Sequence, residues 1–199
     1  MNDVRHVLAA AAALVVDEGM EYAAAKRKAA RAVAHRGALP SNEQLEDAVR
    51  EHIAVFHADE QALELQALRL LALQWMQRLA PFRPHLGGAA WRGTATRRSA
   101  LMIDLYCDDS KAAEIELLNL GVDFDVGARA VPGRGRTESI DVLSVAAPCP
   151  ALRETVTLHL LVHDLDALRG ALKPDARGRP WRGDSAALGR LIDMASASS

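Results

Sequence analysis

The residues best suited to chemistry lie in a short turn, rich in small residues, between positions 88 and 99. Each can present a backbone N–H group, a hydroxyl or a guanidinium group to an anion, and they are Gly88, Gly93, Thr94, Arg97, Arg98 and Ser99. Oriented amides and guanidinium groups attract phosphate even where no carboxylate recruits a metal ion. The turn has the outline GxxxxGT but lacks the P-loop lysine, which argues against ATP-driven ligase or kinase chemistry. We therefore expect it to bind a nucleotide or another phosphate ligand.

A strand and a helix follow this turn and would position it. Leu101, Ile103 and Leu105 occur at the period of two that is typical of a strand with one buried face. Asp109 is expected to cap the helix and Gly121 to end it. The apolar positions of this helix at helical spacing are Ala112, Ile115 and Leu118. A glycine-containing turn, a strand and a helix in close succession form a place for a ligand.

The spacing of this stretch resembles the nucleotidyltransferase superfamily, which has a DNA polymerase beta-like fold. The matching elements are Gly88-Ala89, Gly93-Thr94-Ala95, Ser99-Ala100-Leu101-Met102 and the DD-K-EI-LLN-G pattern that follows. More narrowly, the stretch is similar to small bacterial nucleotidyltransferase-domain proteins, in which a Gly-Ser pair precedes an Asp-x-Asp motif. The similarity extends to the segments YAAAKRKAAR and LPSNEQLEDAVR of the amino-terminal half.

The catalytic positions of that family are degenerate in this chain. Ala89 stands where the family has serine, and Ala100 and Met102 stand where it has two aspartates. His159, in the strand-like segment ETVTLHLLVH, stands about where the family has a third carboxylate. Such carboxylates hold the divalent ions that bridge nucleotide phosphates, and a methyl group or a thioether offers a hard cation no charged oxygen. The resemblance therefore implies a pseudoenzyme without catalytic residues, metal site or cofactor, which serves as a binding or regulatory module.

An alternative interpretation depends on Asp104. It shares a strand face with Ala100 and Met102 but is displaced from the family position by about 6–7 Å. With His159 it could form a Mg²⁺ site, or a partner could supply the missing acids, and the chain would then be an active, metal-dependent nucleotidyltransferase. The other interpretation of Asp104 is an exposed residue near the end of its strand.

Composition limits the classes of partner. With 24 basic and 26 acidic residues, the chain has no overall field that favours nucleic acid. A basic loop around Trp181 offers a local basis for gripping an anion or single-stranded nucleic acid. Cys107 and Cys149 are too few for a disulfide framework or a zinc site. The partners expected are thus a phosphate ligand and an unidentified protein.

The apolar run of residues 7–16 is too short to span a membrane, and Asp17 and Glu18 follow it. It is typical of an amphipathic helix that ends at Gly19. These features predict a cytoplasmic protein without a membrane partner.

Residues 1–80 are predicted to be helical. A second helix covers Tyr22 to His35, Ser41 and Gln44 form a capping box for a third, and a long fourth helix runs from Asp59 to about Ala80. The apolar surface of the fourth helix fits either a central strut or a self-association surface. His52 and His57 have no acid at ligand spacing and are interpreted as a core-edge and a helix-end histidine.

Residues 81–199 are predicted to form a nucleotidyltransferase-like α/β domain with a basic carboxy-terminal loop and helix. Alternating patterns at 122–126, 138–145 and 154–163 add strands to the first one, a turn covers 132–136, and Ser185 is expected to cap the last helix. The predicted fold class is therefore α/β (α+β), a helical amino-terminal half followed by a mixed sheet of four or five strands with packed helices.

Overall fold

Helices form the amino-terminal part of the chain and a mixed sheet follows, which confirms the predicted α/β fold class. The computed structural model describes residues 2–132 and 137–197. The helices of the amino-terminal part are α1 (Asn2–Glu18), α2 (Tyr22–Ala32), α3 (Asn42–Phe56) and α4 (Ala58–Arg78). The later helices among the described residues are α5 (Gly88–Arg92), α6 (Ser110–Asn119), α7 (Leu168–Ala171) and α8 (Ser185–Ser196).

Local signals set several helix ends as predicted. The Ser41 hydroxyl accepts a hydrogen bond from the Gln44 N–H at 3.1 Å, and the Gln44 side chain accepts one from the Ser41 N–H at 2.8 Å. This reciprocal capping box starts α3. Gly19 directly follows α1 and has a φ of +69°, a left-handed conformation that favours glycine.

The apolar stripe of α1 packs into a core made by the first three helices. Its Val7 and Ala11 are fully buried there, together with Leu45 and Val49 of α3. The alanines of α2 face this core, which leaves Arg27, Lys28 and Arg31 exposed. Lys26 is half-buried and donates a hydrogen bond to the Pro40 carbonyl at 2.9 Å. No helix formed by residues 2–132 and 137–197 combines the length and the apolarity needed to cross a bilayer.

Among the described residues the sheet has six strands, one more than the upper predicted number. They are β1 (His85–Gly87), β2 (Leu101–Cys107), β3 (Phe124–Pro132), β4 (Thr137–Cys149), β5 (Glu154–Asp164) and β6 (Arg182–Asp184), in the spatial order β3-β4-β5-β2-β1-β6. β2 and β5 are parallel, and the other neighbours are antiparallel. β1 and β6 are the strands that the pattern did not indicate, because three residues are too few to show a period. Of the predicted turn at 132–136, residues 133–136 lie outside the described residues.

One face of the sheet is apolar. Leu101, Ile103 and Leu105 of β2 are fully buried on it, as the alternation predicted. α6, which packs against β2 and β5, is capped by Asp109 as predicted. Its buried side chains are not those of the expected spacing: Ala113 and Leu117 are buried, whereas Ile115 and Leu118 are exposed. This short helix carries apolar residues on most of its sides, so their spacing alone did not identify the face that packs on the sheet.

The carboxy-terminal helix has a different cap from the expected one. The Asp184 carboxylate, not Ser185, accepts the hydrogen bond from the Ala187 N–H, at 2.8 Å, and Ser185 is the first helical residue. An aspartate before a serine competes for the same role, and a charged acceptor makes the stronger bond.

The chain divides into two compact units, and the division differs from the one predicted at residue 80. The first unit contains residues 1–65 and 94–99, and the second contains residues 66–93 and 100–199. The boundary falls inside α4. Three hydrogen bonds join residues 94–99 to the first unit. The Gln61 side chain donates to the Ala95 carbonyl at 2.8 Å, and the Thr96 hydroxyl donates to the Val16 carbonyl at 3.3 Å. The Arg97 N–H donates to the Glu64 carboxylate at 2.9 Å.

Candidate functional site

The second face of the sheet carries a polar cluster, which we call the polar face cluster; it consists of His85, Asp104, Tyr106, His163 and Arg182. Because side chains alternate along a strand, Asp104 and Tyr106 lie opposite the apolar face of β2. His163 of β5 is paired with Tyr106, and His85 of β1 is paired with Asp104. Strand pairing thus assembles the cluster from four segments that are distant in sequence.

Both oxygens of Asp104 are occupied by neighbouring side chains. His163 Nε2 donates a hydrogen bond to Oδ1 at 2.7 Å, and Arg182 Nη1 lies 3.0 Å from Oδ2. The side chain of Asp104 is 9% exposed and that of Arg182 is 26% exposed, so solvent screens this network only in part. Within the described part of the chain, Asp104 is therefore the acceptor for two groups that carry or can acquire positive charge.

Tyr106 connects the other members of the cluster. Its hydroxyl accepts a hydrogen bond from Arg182 Nη1 at 2.9 Å, and its ring stacks on His163 with 5.2 Å between centroids. His85 meets the ring edge-on at 5.5 Å. Burial, reinforced by the negative charge of Asp104, raises the pKa of Tyr106 above its usual value, although Arg182 partly opposes the rise. The phenol therefore stays neutral around physiological pH.

Two of the degenerate positions predicted from the resemblance, Met102 and His159, are neighbours in the sheet. Met102 of β2 is paired directly with His159 of β5, whose Nδ1 lies 3.0 Å from the Ser144 hydroxyl. Ala100 precedes β2, and Ala89 lies in α5. The side chains at these four positions do not fit Mg²⁺, because a methyl group, a thioether and an imidazole replace the hard oxygen ligands that it needs.

Asp104, the weak metal candidate, is also not placed as a metal ligand would be. Its hydrogen-bond and ion-pair partners are His163 and Arg182. Among the described residues, the sheet holds no group of three metal-ligating side chains close enough to share an ion. The interpretation of Asp104 as an exposed strand residue is wrong, since the whole residue is only 6% exposed.

The predicted anion-binding turn is divided between the two units. Gly88 opens α5 with a φ of +64°, and Gly93 ends it and donates its N–H to the Ala89 carbonyl; both belong to the second unit. Residues 94–99 belong to the first unit. The six candidates therefore do not form one group within either unit.

Three of the N–H groups of residues 96–99 already have partners. The Thr96 N–H donates to the Ser99 hydroxyl at 3.0 Å, and the Ser99 N–H donates to the Thr96 carbonyl at 2.8 Å. Glu64 accepts the Arg97 N–H and also lies 3.7 Å from the Arg97 guanidinium. Arg98 is exposed, and Thr94 is buried. Binding of phosphate by this segment would require these donors to change partners beside a carboxylate, which makes the polar face cluster the better candidate site.

Charged side chains order the loop that leads into β6. The fully buried carboxylate of Asp175 accepts hydrogen bonds from the Arg92 guanidinium at 3.0 Å and from the Arg179 side chain at 3.1 Å. The N–H groups of Arg177 and Arg179 donate to it at 2.9 and 2.8 Å. Arg92 also lies over the Trp181 ring, 4.7 Å from its centroid. This loop fixes the approach to the strand that carries Arg182.

Ionisation of Asp175 depends on these donors. Burial alone would raise the pKa of this carboxyl group. Hydrogen bonds from the Arg179 backbone and the Arg92 guanidinium outweigh that effect and lower the pKa of Asp175 from 3.8 to about 2. Because the folded-state pKa is depressed, the stabilisation is complete above the ordinary pKa of the group and is lost as the pH falls toward about 2.

We expect Asp175→Asn to destabilise the protein at neutral pH, and the difference from the parent to shrink on acidification. The free energy of unfolding of both proteins would be measured by urea denaturation between about pH 5 and pH 2. Asp193→Asn, at an exposed position of α8, is the matched control and should change little at any pH. A parent–variant difference that stays constant over this range would contradict the assignment.

Sequence reasoning missed the central part of the site. His163 lies on the same predicted strand as His159 and Arg182 lies in the basic loop predicted around Trp181, but neither is a predicted site residue. No local signal connects them to Asp104, because the contact depends on the pairing of β2 with β5 and on β6 joining the sheet edge. In sequence comparison the chain matches no known protein family and no curated protein, so its site is interpreted from its own geometry.

Proposed function

We propose that this protein is a non-catalytic binding or regulatory module with a nucleotidyltransferase-like fold, and that the polar face cluster binds a phosphate-bearing ligand such as a nucleotide without a metal ion. The observation that carries the proposal is the occupation of both Asp104 oxygens by His163 and Arg182. A divalent ion could bind Asp104 only beside the positively charged Arg182 guanidinium, which repels it and cannot serve as a ligand.

The pairing of strands supports the nucleotidyltransferase-like part of the proposal. A two-ion centre of the kind that the resemblance implies needs acids from two neighbouring strands. The corresponding positions, Met102 and His159, are directly paired across β2 and β5. The scaffold therefore brings the expected positions together, and the side chains at those positions are uncharged or imidazole.

The donors of the cluster support a phosphate ligand. Arg182 offers a planar guanidinium, which suits phosphate oxygens, and its Nε is a buried donor without a partner among the described residues. His163 lies beside it and is partly exposed. An anion that reached Arg182 would satisfy a donor whose isolation costs about 1–3 kcal/mol.

Removal of the charge of Asp104 tests whether the polar face cluster binds phosphate. Asp104→Asn should strengthen binding of ATP or pyrophosphate by about fivefold, because it removes the negative charge that neutralises Arg182, an interaction of about 1 kcal/mol at a partly exposed site. Affinity would be measured by calorimetric titration at low salt with EDTA present.

Asp125→Asn is the matched control. Asp125 is exposed on the same face of the sheet, but it lies on β3, with two strands between it and Asp104. The same loss of charge there should change affinity by less than about twofold. If neither the parent nor Asp104→Asn binds a phosphate ligand at low salt, the proposal is wrong.

A second candidate function is metal-dependent nucleotide transfer through Asp104 and His159, or with acids from a partner. It is favoured by one observation, that these two residues lie on the same face of adjacent strands, two register positions apart. It requires Asp104 to break its interactions with His163 and Arg182 and to bind an ion instead.

Transfer of label from nucleoside triphosphates in magnesium or manganese separates the two functions. Labelling above a buffer control that Asp104→Asn abolishes would establish the enzyme and refute the binding module. Absence of labelling, together with tighter ATP binding by Asp104→Asn, would establish the binding module and refute the enzyme.

A further inference from the structure

Three side chains that can ligate a metal meet in the first unit, away from the polar face cluster. Asp17 lies in the last turn of α1, His52 lies in α3, and His57 directly follows α3. Their ligand atoms all lie within 4.8 Å of one another. An inference about this cluster does not depend on the proposed function of the polar face cluster.

The separations suit a tetrahedral ion. The His57 Nε2 lies 3.1 Å from one oxygen of Asp17, and the His52 Nε2 lies 3.5 Å from the other. Tetrahedral ligands at about 2.0–2.1 Å from a zinc ion are about 3.3 Å from each other. With one oxygen of Asp17 and one nitrogen of each imidazole as ligands, no separation exceeds 4.8 Å, so none needs to shorten by more than about 1.5 Å.

The end of α3 explains why histidines five residues apart can converge. In a continuous helix these positions point in different directions, since neighbours on one face are three or four residues apart. His57 is the residue after the last helical turn, with a φ of −136° that departs from the helix. Its side chain therefore returns toward that of His52, and the ring centroids are 5.9 Å apart.

The ligand types define the class of ion. Two imidazole nitrogens and one carboxylate oxygen suit zinc and the other divalent first-row transition metals, whereas magnesium and calcium prefer oxygen ligands alone. A carboxylate in the last turn of a helix is unfavourable beside the helix dipole, and a cation there is favourable. The side chains of Asp17 and His57 are 48% and 34% exposed, which leaves access for an ion and for water as a fourth ligand.

We propose that Asp17, His52 and His57 form a binding site for a divalent transition-metal ion, with zinc as its natural class of ligand. The ion replaces the pairing of Asp17 with the two imidazoles and joins the ends of α1 and α3. Binding to the folded chain then raises its apparent stability in proportion to the logarithm of the free ion concentration.

The test uses the full chain without a polyhistidine tag, stripped of metal before titration with Zn²⁺ and Co²⁺. Calorimetry should give one ion per chain, and bound Co²⁺ should show the visible absorption of a tetrahedral complex. Asp17→Asn and His57→Gln should each weaken binding by at least about 100-fold, because even the outer-shell partners of metal ligands contribute 10–100-fold.

His6→Gln is the matched control, since His6 is an exposed histidine on α1 and should leave affinity unchanged. Circular dichroism of the metal-free variants should equal that of the parent, which separates loss of a ligand from loss of the fold. The proposal is overturned if the parent shows no saturable one-to-one binding, or if either ligand variant keeps the affinity of the parent. The cluster would in that case be a polar contact between Asp17 and the two histidines.

Discussion

Replacement of Asp104 by alanine is expected to lower the free energy of unfolding by about 3 kcal/mol, because it leaves the Arg182 guanidinium and the His163 imidazole without their acceptor. His163 loses a hydrogen bond of 2.7 Å and Arg182 loses an ion pair of 3.0 Å. Removal of one partner from a buried network costs more than the network contributes as a whole, since the remaining groups stay desolvated. The partial exposure of Arg182 keeps the expected value at the lower end of the range for buried pairs.

The expected cost depends on the partner, which a double-mutant cycle can measure. In a background of Arg182→Met, which keeps the apolar stem and removes the charge, Asp104→Ala should cost about 1–2 kcal/mol less than in the parent. Asp104→Asn keeps an acceptor in place and should be milder than Asp104→Ala. Urea denaturation followed by circular dichroism gives these values. A cost for Asp104→Ala within the range of ordinary surface changes, about 0.5 kcal/mol, would show that the network is weak.

The polar face cluster shows where prediction from the sequence ends. The alternation of β2 identified its buried face correctly, because a period of two is a local property of one strand. The same pattern placed Asp104 on the other face but could not state its neighbours. Those come from β5, more than fifty residues later, and from β6, whose three residues carry no periodic signal. The chemistry of the face is thus a product of strand pairing.

In the first unit, too, the neighbours of the histidines at the end of α3 could not be predicted from sequence spacing. His52 and His57 are interpreted from the sequence as core-edge and helix-end residues, because neither has a paired acid at ligand spacing. Asp17 lies opposite both, since α1 packs on α3 and ends beside its carboxyl end. A search for ligands by sequence spacing finds sites within one helix, and this one is built from two.

Residues 94–99 belong to a different compact unit from Gly88 and Gly93, although all of them are close in sequence. Its small residues and arginines were predicted to form one turn with Gly88 and Gly93, as they are continuous in sequence. Hydrogen bonds from side chains such as Gln61 tie it to the helices instead. The boundary inside α4 has the same origin, because a long helix can contribute its two ends to different cores.

Gly19→Ala should also cost about 3 kcal/mol, for two separable reasons. A left-handed residue with a side chain costs about 1–2 kcal/mol, and Gly19 has a φ of +69°. In addition, a Cβ at this position would collide with the backbone carbonyl of Arg98, and overpacking against a group that cannot rotate away adds about 1–3 kcal/mol.

Gly121→Ala is the matched control: Gly121 also ends a helix and has a φ of +65°, but a Cβ there would have no atom within 4 Å. It should cost only the backbone part, about 1–2 kcal/mol. The sequence assigns both glycines the same role as helix stops, so it predicts equal costs. Urea denaturation of both variants decides between the two expectations, because only close packing of residues 94–99 against the end of α1 makes Gly19→Ala the more damaging change.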